Sequence, residues 1–134
     1  MSCLGYKSHH VLIGILTHQW HPKLIEVLLW VKVRYDTSKV TITSAYRSHK
    51  IHDKDSGIHI TIPLRAFDIR SSVFDDPQAI ADDINDAFIY DPDRPDMKVA
   101  IYHDSGSGLH FHIQVHDHTI YRKILTEVHN ENTS

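Results

Sequence analysis

Leu24, Val27, Leu28 and Val31 recur at the spacing that stacks apolar side chains on one face of a helix, and Pro22 stands where a helix tolerates proline, in its first turn. The pattern predicts a core helix over residues 22–35, its apolar stripe widened by Ile25, Leu29 and Trp30 and its last turn weakened by the β-branched Val31 and Val33. Val40-Thr41-Ile42-Thr43-Ser44 alternates with the two-residue period of a strand and runs into Ala45-Tyr46-Arg47-Ser48, which carries Arg47 to a loop mouth. After a polar stretch over 49–57, Leu64 to Ile69 reads as a second strand. Asp75-Asp76-Pro77 signals a helix start, and Ile80, Ala81, Ile84, Ala87 and Phe88 keep helical spacing, with Asp82, Asp83 and Asp86 on a solvated face.

Two prolines within 91–96 end that helix, and Met97 to Tyr102 and Leu109 to Val115 follow as strands of a hairpin with the Gly-rich tip Asp104-Ser105-Gly106-Ser107-Gly108. Along the second strand His110, His112, Gln114 and His116 share one face and Leu109, Phe111, Ile113 and Val115 the other. Residues 119–129 are expected to form a short terminal helix, and 130–134 to fray. The elements together describe an α+β fold, a small antiparallel sheet with flanking helices, in a single domain over 1–134.

Composition adds bounds. A chain of 134 residues is long enough to bury roughly 70% of its unfolded surface in one core. The net charge of -3 leaves no basic footprint, so no nucleic-acid partner is expected. The apolar run Val11 to Leu16 is too short for an export signal or a membrane span, which suggests a soluble protein without a signal peptide. Cys3 is the lone cysteine, so no internal disulfide forms. Histidine is the outlier, at 13 residues, and imidazole is both the commonest neutral metal ligand and the usual acid or base near neutral pH. A site uses three or four of them, so His9, His10, His18, His21, His49, His52, His118 and His129 are read as bystanders.

A catalytic zinc takes three protein ligands and leaves a fourth position open. His59, Asp68 and one histidine of the hairpin supply such a set. His110 and His112 lie two apart on one strand face, so one can hold a metal while the other stands beside it, and spacing does not say which does which. A His-x-His on a strand also fits a plain solvated polar face.

Thr43-Ser44-Ala45-Tyr46-Arg47-Ser48, the stretch from Ser56 through His59 to Asp68-Ile69, and His110-Phe111-His112 follow in order over about residues 40–116. These three segments resemble those of the zinc D-alanyl-D-alanine carboxypeptidases and phage endolysin peptidases, which share their fold with the Hedgehog signalling domain. The resemblance implies that His59, Asp68 and His112 are zinc ligands, that His110 is the general base, that Arg47 binds the substrate carbonyl or carboxylate, and that Ser56 contributes to substrate binding. It implies metal-assisted hydrolysis of an amide bond in the stem or crosslink peptides of bacterial peptidoglycan. The protein would then be a monomer, made in the cytoplasm of a producing or phage-infected cell and acting on the wall after release. Two features depart from the family pattern: His59 and Asp68 stand nine positions apart with no glycine between, and the Glu-x-x-His arrangement of several members is absent. Two other classes share the ligand types. One is a zinc-containing binding module without catalysis, and the other an iron(II) oxygenase built on two histidines and a carboxylate.

Overall fold

His21 caps helix α2 (Pro22–Arg34), its Nδ1 accepting the Lys23 N–H at 3.1 Å, so Pro22 occupies the first turn where its missing donor costs nothing. The expected stripe of Leu24, Val27, Leu28 and Val31 is buried, whereas Ile25 and Leu29 face solvent, so the stripe is narrower than the hydrophobic pattern suggests. The computed structural model describes residues 4–35, 40–44, 63–104, 106 and 108–122. Among them the chain runs β1 (Leu4–Tyr6), α1 (His9–Thr17), α2, β2 (Val40–Ser44), β3 (Ala66–Arg70), α3 (Pro77–Ala87), β4 (Phe88–Ile89), β5 (Ala100–Asp104), β6 (Leu109–Gln114) and β7 (Ile120–Tyr121). No helix among the described residues is long and apolar enough to cross a membrane.

The architecture is α+β, with a five-stranded sheet in the order β1-β2-β3-β6-β5 and a separate β4-β7 pair. The main sheet is not wholly antiparallel, because β1 pairs parallel to β2. Parallel neighbours require a crossover connection, and the apolar segment after β1 supplies it by folding as α1 before the chain enters α2. The remaining pairs, β2–β3, β3–β6 and β5–β6, are antiparallel, and β2–β3 carries a register irregularity between Ile42 and Ser44. The hairpin expected from the Gly-rich tip is β5–β6.

The register sorts side chains onto two faces. Phe67 opposes Ile113, Ile69 opposes Phe111, and Phe111 opposes Tyr102 on β5. These join Leu24, Val27, Leu28, Val31, Ile84 and Val115 in one core. Rings interlock there: Phe111 lies 5.7 Å from Phe74 and 5.6 Å from Tyr102, and Trp20 lies 5.8 Å from Phe67. The opposite face carries Asp68, His110, His112 and Gln114.

Helix α3 starts as its Asp-Pro signal predicts, with the Asp76 side chain accepting the Ala79 N–H at 3.2 Å. Asn85 docks it on the sheet by pairing its amide with both backbone groups of Ala100, at 2.8 and 2.9 Å. Its end departs from the helical spacing of Phe88. That residue belongs to β4 and is buried against Trp30 and Tyr121, at ring separations of 5.8 and 5.1 Å. The partner strand β7 likewise replaces the start of the helix expected over 119–129, because Phe88 opposes Tyr121 and Ile89 opposes Ile120. Ring burial across the pair outweighs a weak local preference. Arg122 is helical, and residues 123–129 and the tail over 130–134 lie outside the described residues.

Asp83 also departs from the solvated face assigned to the acids of α3. It accepts hydrogen bonds from the Arg34 guanidinium and the Tyr35 hydroxyl, joining α3 to the end of α2. The Arg34 bond holds the Asp83 carboxyl below the usual carboxylate range. Burial, aided by Asp83, pushes the Tyr35 phenol up to about 12. A lowered carboxylate pKa stabilises the fold above the unfolded value and loses that contribution as pH falls through the folded one. A raised phenol pKa stabilises below its unfolded value and is lost as pH rises through about 12. Ultraviolet titration of wild type is therefore expected to show one late-ionising tyrosine that moves towards the ordinary value of about 10 in Asp83→Asn. Phe111→Ala, which empties the centre of the ring cluster, is expected to cost about 3–5 kcal/mol in urea unfolding.

Candidate functional site

The β3–β6 register sets Asp68 directly opposite His112 and Arg70 opposite His110, while β5 sets Ile101 opposite His112 and His103 opposite His110. Strand pairing thus brings together one carboxylate and three imidazoles from three adjacent strands. Asp68 and His112 are each only 8% exposed, and Gln114 5%, so this face is not the solvated polar surface that a strand with His-x-His could equally present.

Buried polar groups need partners, and the partners fix which nitrogen carries a proton. Gln114 donates its amide N–H to the Lys98 carbonyl at 2.8 Å, which turns its Oε1 towards His112 Nε2 at 3.2 Å. A carbonyl oxygen only accepts, so His112 Nε2 carries hydrogen. His112 Nδ1 then meets Asp68 Oδ1 at 3.0 Å, either as the second N–H of an imidazolium or as a lone pair beside a cation shared with the carboxylate. For His110 the logic runs the other way. Its Nδ1 donates to the Gly108 carbonyl at 2.8 Å, so in the neutral ring Nε2 is the basic nitrogen, and it lies 3.7 Å from Asp68 Oδ1. One carboxylate oxygen therefore gathers a nitrogen from each histidine of the pair.

The hairpin tip holds His110 in this attitude. Asp104 Oδ1 accepts the N–H groups of Gly106 and Gly108 at 2.8 and 3.0 Å, and those bonds keep its carboxyl below the usual range. Both glycines have positive φ, 114° and 97°, which other residues adopt only under strain. The two glycines predicted as a turn signal thus position the very carbonyl that orients His110.

His103 is a member of the cluster that the sequence reading did not pick out. Its ring centroid lies 5.0 Å from that of His110 and 5.9 Å from that of His112. Its Nε2 is buried and finds no hydrogen-bond partner among the described residues. Burial, reinforced by the two neighbouring imidazoles, holds it below the usual histidine range and so keeps it uncharged near neutral pH. The signal was available in the alternation of β5, where His103 has the parity of Ile101 opposite His112.

Of the residues singled out from sequence, Asp68, His110 and His112 come together. Arg47, Ser56 and His59 lie outside the described residues, as do residues 60–62 of the unusual interval from His59 to Asp68. Ser44, at the start of the segment leading to Arg47, is the β2 neighbour of Asp68.

A second group collects away from these residues. Asp91, His116 and His118 each offer a ligand atom within 4.8 Å of the others and could hold a metal ion. His118, read from the sequence as a bystander, stands in this group. It unites two segments distant in sequence, a relation that no local pattern encodes.

Comparison with known proteins identifies no relative: no family model, curated protein or solved structure matches the chain.

The Gly108 position offers a direct test of the hairpin's part in the site. A Cβ there meets no atom within 4 Å, so Gly108→Ala is resisted by its backbone conformation alone. The expected cost is about 1–3 kcal/mol in urea unfolding, accompanied by a change in the His110 ring nitrogen resonances as the bond to the Gly108 carbonyl is disturbed.

Proposed function

We propose that this protein is a zinc-dependent peptidase that hydrolyses an amide bond in the stem or crosslink peptides of bacterial peptidoglycan. One observation carries the reading: His112 Nδ1 and His110 Nε2 both face Asp68 Oδ1, at 3.0 and 3.7 Å, with their opposite nitrogens committed to Gln114 and Gly108. The donor set of imidazole and carboxylate suits zinc, and the Gln114 bond to His112 is the kind of outer contact that fixes a metal-binding histidine's tautomer.

In this reading Asp68 and His112 hold the metal together with His59. When bound, zinc supplies a Lewis acid that polarises a carbonyl and brings the pKa of a water towards neutrality. His110 takes up a proton at Nε2 and returns it to the leaving amine, while its Nδ1–H stays on the Gly108 carbonyl and prevents the ring from turning. His103, uncharged and packed against His110, leaves the site free of a competing cation. Arg47 stabilises developing charge on the carbonyl oxygen or grips a substrate carboxylate, and Ser56 contributes to substrate binding. The choice of substrate rests on the motif resemblance of residues 40–116.

The test is incubation of zinc-loaded protein with purified peptidoglycan, reading new amine termini and product masses. Wild type is expected to release peptide fragments. His110→Ala should fall by roughly 10²–10⁴-fold, the usual contribution of a general base, with its zinc content unchanged. His112→Ala should lose activity together with one equivalent of zinc. Normal cleavage by His110→Ala would remove His110 from its role. A zinc-replete wild type that cuts no wall peptide would leave a metal-containing binding module, and iron in place of zinc in protein purified without added metal would point to oxygenase chemistry.

A further inference from the structure

Asp91 is a buried carboxylate at the end of the chain segment leaving β4, with its side chain only 5% exposed. Burying a carboxylate is costly unless hydrogen bonds or a positive charge compensate. The Asp93 N–H covers one lone pair of Oδ1 at 3.0 Å. The other groups facing it are imidazoles: His116 Nδ1 lies 3.6 Å from Oδ2, and His118 Nδ1 lies 3.8 Å from Oδ1.

Neither separation is a hydrogen bond; they lie at and just beyond the spacing of two donors on a shared ion. Ligand atoms 2.0–2.2 Å from one tetrahedral ion lie roughly 3.3–3.6 Å from each other. The backbone N–H of His118 can only donate, so His116 Nδ1, 3.3 Å away, carries its lone pair and no hydrogen. That bond is long, and an ion on the same lone pair would take its place. A carboxylate covered this deeply and faced by an unprotonated Nδ1 calls for a cation.

The scaffold around the three residues is already assembled. Thr119, 2% exposed, donates its hydroxyl to the Tyr90 carbonyl at 2.8 Å and accepts the His116 N–H at 2.8 Å, which ties the two contributing segments together. The Tyr90 ring packs 5.7 Å from that of His116. The imidazoles of His116 and His118 are set edge to face, 5.0 Å apart. His118 is on the solvent side, with its side chain 64% exposed, which gives an ion a route in.

We propose that Asp91, His116 and His118 form a structural site for zinc or a similar borderline divalent cation, separate from the Asp68 cluster and independent of the peptidase reading. The two histidines flank different oxygens of Asp91, so a carboxylate bound through both oxygens completes four donors. Two imidazoles with one carboxylate favour zinc, cobalt, nickel or copper over magnesium or calcium, which prefer all-oxygen shells. The bound ion would clamp the turn at 116–119 to the segment after β4 and so fasten the β4–β7 pair to the main sheet.

The test is zinc stoichiometry by elemental analysis after loading and dialysis, with cobalt(II) absorption as a probe of ligand geometry, on wild type, His118→Ala, His116→Gln and His112→Ala. His118→Ala removes an exposed side chain and is expected to keep the fold. It should bind one zinc fewer than wild type, or bind the affected ion more weakly than the roughly 10–100-fold loss of an outer partner would produce. His116→Gln should do the same, and the cobalt(II) band of this site should vanish in both while persisting in His112→Ala. Equal zinc content and affinity in wild type, His118→Ala and His116→Gln would overturn the proposal. If wild type binds a single zinc that His118→Ala loses and His112→Ala keeps, the second site stands and the Asp68 site fails. The reverse pattern overturns the second site alone.

Discussion

Burying a carboxylate between two strands constrains everything around it. Asp68 sits at the middle of β3, its neighbours Phe67 and Ile69 turned into the core, and its own side chain is covered on the other face. It is tolerated there because His112 stands directly opposite and answers it at 3.0 Å, and His112 is in turn held by Gln114, which is anchored on the Lys98 carbonyl. The chain of contacts is continuous from backbone to carboxylate, as a buried polar network must be to avoid the full desolvation cost of an unpaired member. A one-residue slip of β6 against β3 would turn His112 into the apolar layer, expose Phe111 and leave Asp68 without its partner. Core and site therefore enforce the same register.

The site draws on two kinds of support, strand pairing and a turn. Asp68 and His112 belong to the most densely paired part of the sheet, flanked by β2 and β5. His110 lies closer to the hairpin tip, where Asp104 and two positive-φ glycines set the backbone that orients it. The Asp91 group follows the same economy of construction, with Thr119 fixing the backbone so that the two imidazoles meet a carboxylate already in place.

Much of this was legible along the chain. The stripe of Leu24, Val27, Leu28 and Val31, the Asp-Pro start of α3, the alternation of β2 and the glycine tip of the β5–β6 hairpin each announce themselves, because local sterics and burial period act over a few residues. The pairing of Asp68 with a histidine of the hairpin was also foreseen. Less legible were the ends: Phe88 and Tyr121 look helical in isolation and become strand only because their rings stack on each other. Asp83 looks like one more surface acid until the end of α2 brings Arg34 and Tyr35 beside it.

The sequence by itself determined the alternating pattern that commits Phe111 and Ile113 to one side of a strand and His110 and His112 to the other, since side-chain direction follows from backbone geometry alone. It did not distinguish the two histidines, or reveal that His103 joins them, or that Asp91 meets His116 and His118. Those facts depend on which strands become neighbours and in what register, and on which nitrogen each neighbouring carbonyl engages. They belong to contacts between distant segments, where hydrogen-bond partners rather than residue types decide the chemistry.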